Sequence, residues 1–165
     1  MPEKNRQIVD KNDVVLGAKL DHTVDFSRDI YRVSVLWLLN SKSEVLIAMR
    51  SPKKKNHGGL WGPSVAGTVE NTETYLQNIV KESAEEIGLT DVEFVAGKKM
   101  YFDVPRKHFT QYFFATCDKN ANDFELEDEV DSVKWVSKDW LTEDVARHPE
   151  CYLPHMDRVV KEVLL

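Results

Sequence analysis

The sequence predicts an α/β domain built on a mixed sheet, and three observations carry that prediction. Residues 30–39 place Val33, Val35, Trp37 and Leu39 on one face and Leu36 and Leu38 on the other, the pattern of a strand covered on both sides. Residues 72–87 change to a helical period, with Leu76, Ile79, Val80, Ser83 and Ile87 gathered in one stripe expected to be the buried face. Strand-like segments lie both before and after that helix, and strands on both sides of one strong helix point to α/β layering.

Each element has its own signal. Residues 8–10 and 14–17, separated by Lys11-Asn12-Asp13, read as a hairpin with a polar turn. Residues 21–29 are a polar connector that carries His22, so residues 1–29 form an N-terminal extension. After the strand at 30–39, Ser41-Lys42-Ser43-Glu44 turns the chain into a second strand at 45–49. A basic loop runs from Arg50 through Lys53-Lys54-Lys55 to Gly58-Gly59, and residues 61–69 are extended but broken by Pro63 and Gly67. Gly88 is placed to stop the helix in the left-handed conformation. Residues 94–95, 99–104, 109–117 and 133–136 read as further strands, and Ser137 caps a helix through Trp140 and Leu141. Met156, Val159, Val160, Val163 and Leu164 give residues 153–165 an amphipathic helical pattern. The expected organisation is a single domain over 1–165, with its core at 30–141 and a C-terminal helical segment at 142–165.

Composition narrows the class. A chain of 165 residues suits one core, burying roughly 70% of its unfolded surface without staples. Lys plus Arg number 22 against 28 Asp plus Glu, a net charge of −6 that argues against general nucleic-acid binding. It leaves room for a metal ion that supplies the missing positive charge. Cys117 and Cys151 match no zinc or redox spacing, which predicts a reduced, cytoplasmic setting. The apolar run at 33–39 is far short of the roughly 20 residues of a membrane-spanning helix, and Met1 leads into no signal core.

The helix at 72–87 carries the chemistry. Glu82, Glu85 and Glu86 are surface neighbours at i, i+3 and i+4, so their charges repel. They also stand near the helix C-terminus, where the macrodipole disfavours anions. A solvated acidic face is one reading. A hard divalent cation, which prefers carboxylate oxygen, is the other.

Spacing favours the second. From Gly67 the chain runs five residues to Glu73, seven more to Lys81, then Glu82-Ser83-Ala84-Glu85-Glu86-Ile87-Gly88-Leu89. This resembles the Nudix box, G-x5-E-x7-R-E-U-x-E-E-x-G-U with U a bulky apolar residue, at seven of its nine defined positions. Lys81 replaces the Arg and Ser83 replaces an apolar U. The resemblance covers about residues 30–141 and implies an α/β/α sandwich and a Mg²⁺- or Mn²⁺-dependent hydrolase of diphosphate linkages. On the family pattern Glu82 and Glu86 are the principal metal ligands, and Glu85 is an added ligand or the water-activating base. The Gly67 carbonyl completes the site, and Glu73 braces the loop that carries Gly67. Lys81 offers a point charge without the planar fork of Arg, and pairing with Glu85 at i+4 is expected of it. Ser83 is expected to pack or to bond back to the Ile79 carbonyl.

Outside the box, Arg50 at a strand end and Lys55 in the basic run are candidates to hold diphosphate oxygens. Glu129, leading into the strand at 133–136, is the candidate for a further ligand. His57 and His108 read as incidental, Trp61 and Trp135 as core or site wall, and Cys117 as packing. The stretch from Ile8 to Asp13, with Gly17 and His22-Thr23, resembles the branch that includes isopentenyl-diphosphate isomerase. Those isomerases use a Cys just before the box Gly and a Glu-His-Glu stretch. Ala66 occupies the Cys position and Lys107-His108-Phe109 stands for the latter, so the resemblance implies a hydrolase of small organic diphosphates, nucleotide or isoprenoid. The isomerase and a non-catalytic nucleotide-binding module are the alternatives, and a homodimer is compatible with the family.

Overall fold

The computed structural model describes residues 3–165. β1 (Asn5–Val9) and β2 (Val15–Leu20) form the expected antiparallel hairpin. Asp10 makes its turn, its carboxylate accepting from the Asn12 and Val14 N–H groups at 2.8 and 3.0 Å.

β3 (Ile30–Leu39) organises the sheet. It pairs in parallel with β8 (His108–Thr116) along one edge. Along the other it pairs antiparallel with β6 (Val65–Thr68) and the end of β1. β4 (Val45–Arg50) joins β3 only at Leu39–Val45 and runs antiparallel between β5 (Trp61–Gly62) and β9 (Val130–Val136). β7 (Val95–Phe102) pairs antiparallel with β8. The sheet is therefore mixed, as the sequence predicts.

Alternation along β3 and β4 sorts the apolar residues into two cores. Leu36, Leu38, Leu46 and Ala48 face α1 (Tyr75–Ile87), packing with Ile79, Ile87 and Phe113. Val35, Trp37, Val45 and Ile47 face α2 (Lys138–Arg147) and α3 (Met156–Val159), which continues as a π-helical turn (Val160–Leu164). The result is an α/β/α sandwich. Among the described residues no helix is long and apolar enough to cross a membrane.

Several local expectations change. Gly67 does not break its strand but lies within β6, and the segments expected at 94–95 and 99–104 are one strand, β7, with an irregularity between Ala96 and Lys99. α2 starts at its Ser137 cap but runs on to Arg147, past residue 141. The last helix begins only at Met156, after His155 takes a positive φ of 68°. The apolar stripe of α1 is also corrected: Leu76 and Val80 are 47% and 44% exposed, while the helix buries Asn78, Ile79, Glu82, Ser83, Glu86 and Ile87. Hydrophobicity placed the buried face too far toward Leu76 and Val80, because the helix turns its carboxylates onto the sheet. The Ser83 hydroxyl is buried without a hydrogen-bond partner, so it packs and does not bond back to Ile79.

Candidate active site

The helix that bears the glutamates is fixed at both ends. Thr74 and Gln77 form a capping box, each side chain accepting from the other's backbone N–H, at 3.1 and 2.9 Å. Gly88 closes the helix with φ 62° and donates its N–H to the Ala84 carbonyl at 3.2 Å. With the helix held in this rotation, Glu82 and Glu86 point at β6.

Gly67 permits the close approach. A Cβ there would lie 2.7 Å from Glu82 Cδ and 2.8 Å from Asn78 Oδ1, inside contact distance. Any side chain at this position would push α1 away from the sheet.

Asn78 joins the parts and carried no signal in the box spacing. It is fully buried and bonds the Ser34 hydroxyl. Its amide group donates to the Thr68 carbonyl at 3.0 Å, to Glu73 at 2.9 Å and to Glu82 at 3.4 Å. Its place one turn before Glu82 on the buried face is the clue that could have found it. Glu73 accepts the Glu70 N–H at 3.0 Å as well, which braces the loop between β6 and α1.

Lys81 does not pair with Glu85. Its ammonium meets Glu73 at 2.6 Å and Glu70 at 3.1 Å, with Glu82 at 3.8 Å. Burial opposes ionisation of Glu73, yet the bonds from Lys81, the Glu70 N–H and Asn78 outweigh it and hold its pKa below the ordinary range. The lysine reaches back to the loop because two carboxylates await it there, whereas Glu85 is exposed.

Glu82 and Glu86 are 4% and 8% exposed. Burial raises the pKa of Glu82 against the pull of Lys4 and Lys81, and Glu85 is near enough to raise it further. Burial, reinforced by the charges of Glu82 and Glu129, pushes Glu86 up to about 8, although the Ala66 N–H and Arg50 favour its anion. Glu129 behaves oppositely: burial disfavours its charge, but Lys54, bonded at 2.6 Å, together with Lys4 and Arg50 holds its pKa down. A cleft of about 40 Å³ brings Ala66, Glu86, Glu129 and Arg50 to one surface, with Arg50 Nε also donating to the Asn56 carbonyl at 2.9 Å.

The structure thus gathers Gly67, Glu82, Glu86, Glu129 and Arg50, with Glu85 at the edge and Glu73 and Lys81 behind. Lys55 is exposed, and the neighbouring Lys54 is the one that reaches the acidic group. Lys4, 3.9 Å from Glu82, also belongs here and nothing local in the sequence marks it. Among the described residues, no three His, Cys, Asp or Glu side chains are placed to enclose an ion together. The donor set nevertheless suits one. Two buried carboxylates each disfavour the other's charge, and the missing side chain at Gly67 lets Glu82 lie against the strand beside Glu86.

The NUDIX domain model matches residues 30–156. The chain belongs to the Nudix family. Its relatives include the prenyl-diphosphate phosphatase of Methanosarcina mazei, 31% identical over 88% of this chain and 86% of that protein. Isopentenyl-diphosphate Delta-isomerase 1 of Aromatoleum aromaticum is 23% identical over 95% of this chain and 90% of the relative. A crystal structure from Deinococcus radiodurans superposes with a TM-score of 0.83 at 21% identity, covering 96% of this chain and 98% of that one, which shows the shared fold. This Nudix protein is a hydrolase of a family that uses divalent cations, and its box is the stretch from Gly67 to Leu89.

Proposed function

We propose that this Nudix hydrolase uses Mg²⁺, or Mn²⁺, to cleave a diphosphate linkage in a small organic diphosphate, either a nucleoside diphosphate derivative or an isoprenoid diphosphate. The observation that supports it most is the pair of buried carboxylates, Glu82 against Gly67 and Glu86 beside the Ala66 N–H, each disfavouring the other's charge until a cation joins them.

In this reading Glu82 and Glu86 hold the cation with the Gly67 carbonyl, and Glu129 adds charge from the facing wall. The bound cation supplies charge neutralisation for the diphosphate and lowers the pKa of a water molecule. Glu85, exposed at the rim, accepts the proton of the attacking water. Arg50 faces the same cleft and offers a forked donor to the diphosphate oxygens. Lys81, Glu73 and Asn78 keep the loop and helix in register so that these groups converge.

Similarity to an isomerase favours a second reading, proton transfer at carbon. Ala66 lies in the cleft beside Glu86 and has no group that ionises, which weighs for hydrolysis. The test is phosphate or nucleotide release from a panel of nucleotide and isoprenoid diphosphates, with Mg²⁺ and with chelator, alongside deuterium uptake from heavy water into isopentenyl diphosphate. Cation-dependent release without deuterium uptake is expected. Deuterium at carbon would sink the hydrolytic assignment.

A further inference from the structure

Beside the charged cleft lies a larger hollow of about 420 Å³, between the loop after β4 and the segment that follows α2. Leu60, Val145, Tyr152, Leu153 and Met156 give it carbon walls, and the exposed His57, Glu150 and Asp157 border it. The volume lies in the range of small-molecule sites. Two of these residues, Leu60 and Leu153, also line the cleft that holds Glu86, Glu129 and Arg50, so the apolar hollow and the charged cleft share a wall.

The shared wall is built into the fold. The Trp61 carbonyl accepts the Leu153 N–H at 2.9 Å, and Trp61 also bridges to Tyr152 in the manner of a short parallel strand pair. Gly62 leaves room for the leucine: a Cβ there would lie 2.5 Å from Leu153 Cδ1. On the loop side, the Leu60 carbonyl accepts the Arg50 N–H at 2.9 Å, tying the hollow to the strand end that carries Arg50.

We infer that this hollow is the tail subsite of the candidate active site, taking the hydrocarbon end of a substrate whose diphosphate lies against Arg50 and Glu86. The inference rests on the diphosphate reading above and narrows it to diphosphates with an apolar tail. A base or sugar would meet polar partners only at the exposed border, His57, Glu150 and Asp157, and none along the buried carbon of Val145 and Met156. His155 is fixed beside them, its Nε2 bonded to the Val104 carbonyl at 2.6 Å and its ring packed against Phe102. A hydrocarbon loses nothing there and gains by leaving water.

The test measures binding by calorimetry and hydrolysis by phosphate release, each with Mg²⁺, for methyl, dimethylallyl and geranyl diphosphate and for ADP-ribose. Geranyl diphosphate is expected to bind at least tenfold more tightly than methyl diphosphate. Leu60→Trp, which fills the hollow, should reduce that ratio to below threefold. Leu153→Ala, which widens the shared wall, should raise the preference for geranyl over dimethylallyl diphosphate. Affinity that ignores the tail, a preference that neither variant alters, or ADP-ribose binding as tightly as geranyl diphosphate would overturn the inference. Tail-dependent binding without release from any compound would uphold the subsite and remove the hydrolytic reading. Release from every diphosphate at equal affinity would do the reverse.

Discussion

Glu86→Gln isolates the electrostatic cost of the candidate metal site. In the cation-free protein burial and the charges of Glu82 and Glu129 raise Glu86 from an ordinary 4.5 to about 8. The folded state therefore holds a proton that the unfolded state has lost between those two values. Stability should fall as pH rises from about 4.5 to about 8 and level off above that. At pH 7 the descent covers about 2.5 units, or about 3 kcal/mol at 1.36 kcal/mol per unit. Glutamine carries no such slope, its carbonyl still accepts from the Ala66 N–H, and its amide can donate to the neighbouring carboxylates. The variant should gain about 1–3 kcal/mol at pH 7, a range that discounts for side-chain rearrangement. Urea unfolding in chelator from pH 5 to 8.5 measures this. With Mg²⁺ the order reverses: the wild type gains stability from the bound ion and the variant gains little, while its turnover falls by orders of magnitude. Cation-free wild-type stability that stays level or rises over this window would refute the argument, and so would a variant no more stable at pH 7.

The remaining predictions concern packing around the same helix. Gly67→Ala should cost about 1–3 kcal/mol and weaken cation binding, because the new Cβ meets Glu82 and Asn78; unchanged melting and cation titration would show that α1 shifts freely. Asn78→Ala should cost about 2–3 kcal/mol by leaving Ser34, the Thr68 carbonyl and Glu73 short of a partner, and denaturant unfolding with an unchanged midpoint would contradict that. Ser83→Ala should be neutral or stabilising by up to about 1 kcal/mol, since the buried hydroxyl has no partner to lose; a drop in melting temperature would reveal a bond the structure does not contain.

Much of the fold was legible in the chain because the signals are local. Alternation along residues 30–39 implied two cores, and both exist. Gly88 stops the helix where the sequence placed it, while the helix starts at Tyr75, after a Thr74 cap that the helical period from residue 72 passes over. Helical periodicity set Glu82, Glu85 and Glu86 on one side, and the resemblance to the Nudix box singled them out with Gly67 as candidates. The same periodicity misjudged how that side meets the sheet, because apolar content at Leu76 and Val80 outweighed the space that Gly67 opens for Glu82.

Sequence by itself determined the alternation of the first long strand, the stop of the helix at Gly88 and the family of the chain, all of which are written in residues close in sequence. Tertiary structure alone decided which distant charges meet: Lys81 turns to Glu70 and Glu73 instead of Glu85, Lys54 takes Glu129, and Lys4 reaches Glu82 from the start of the chain. It also brought Leu60 and Leu153 to line both a charged cleft and the apolar hollow beside it. The physical reason is range. Turn and helix signals act over a few residues, whereas the partner of a long charged side chain and the shape of a cavity depend on which strands become neighbours when the sheet closes.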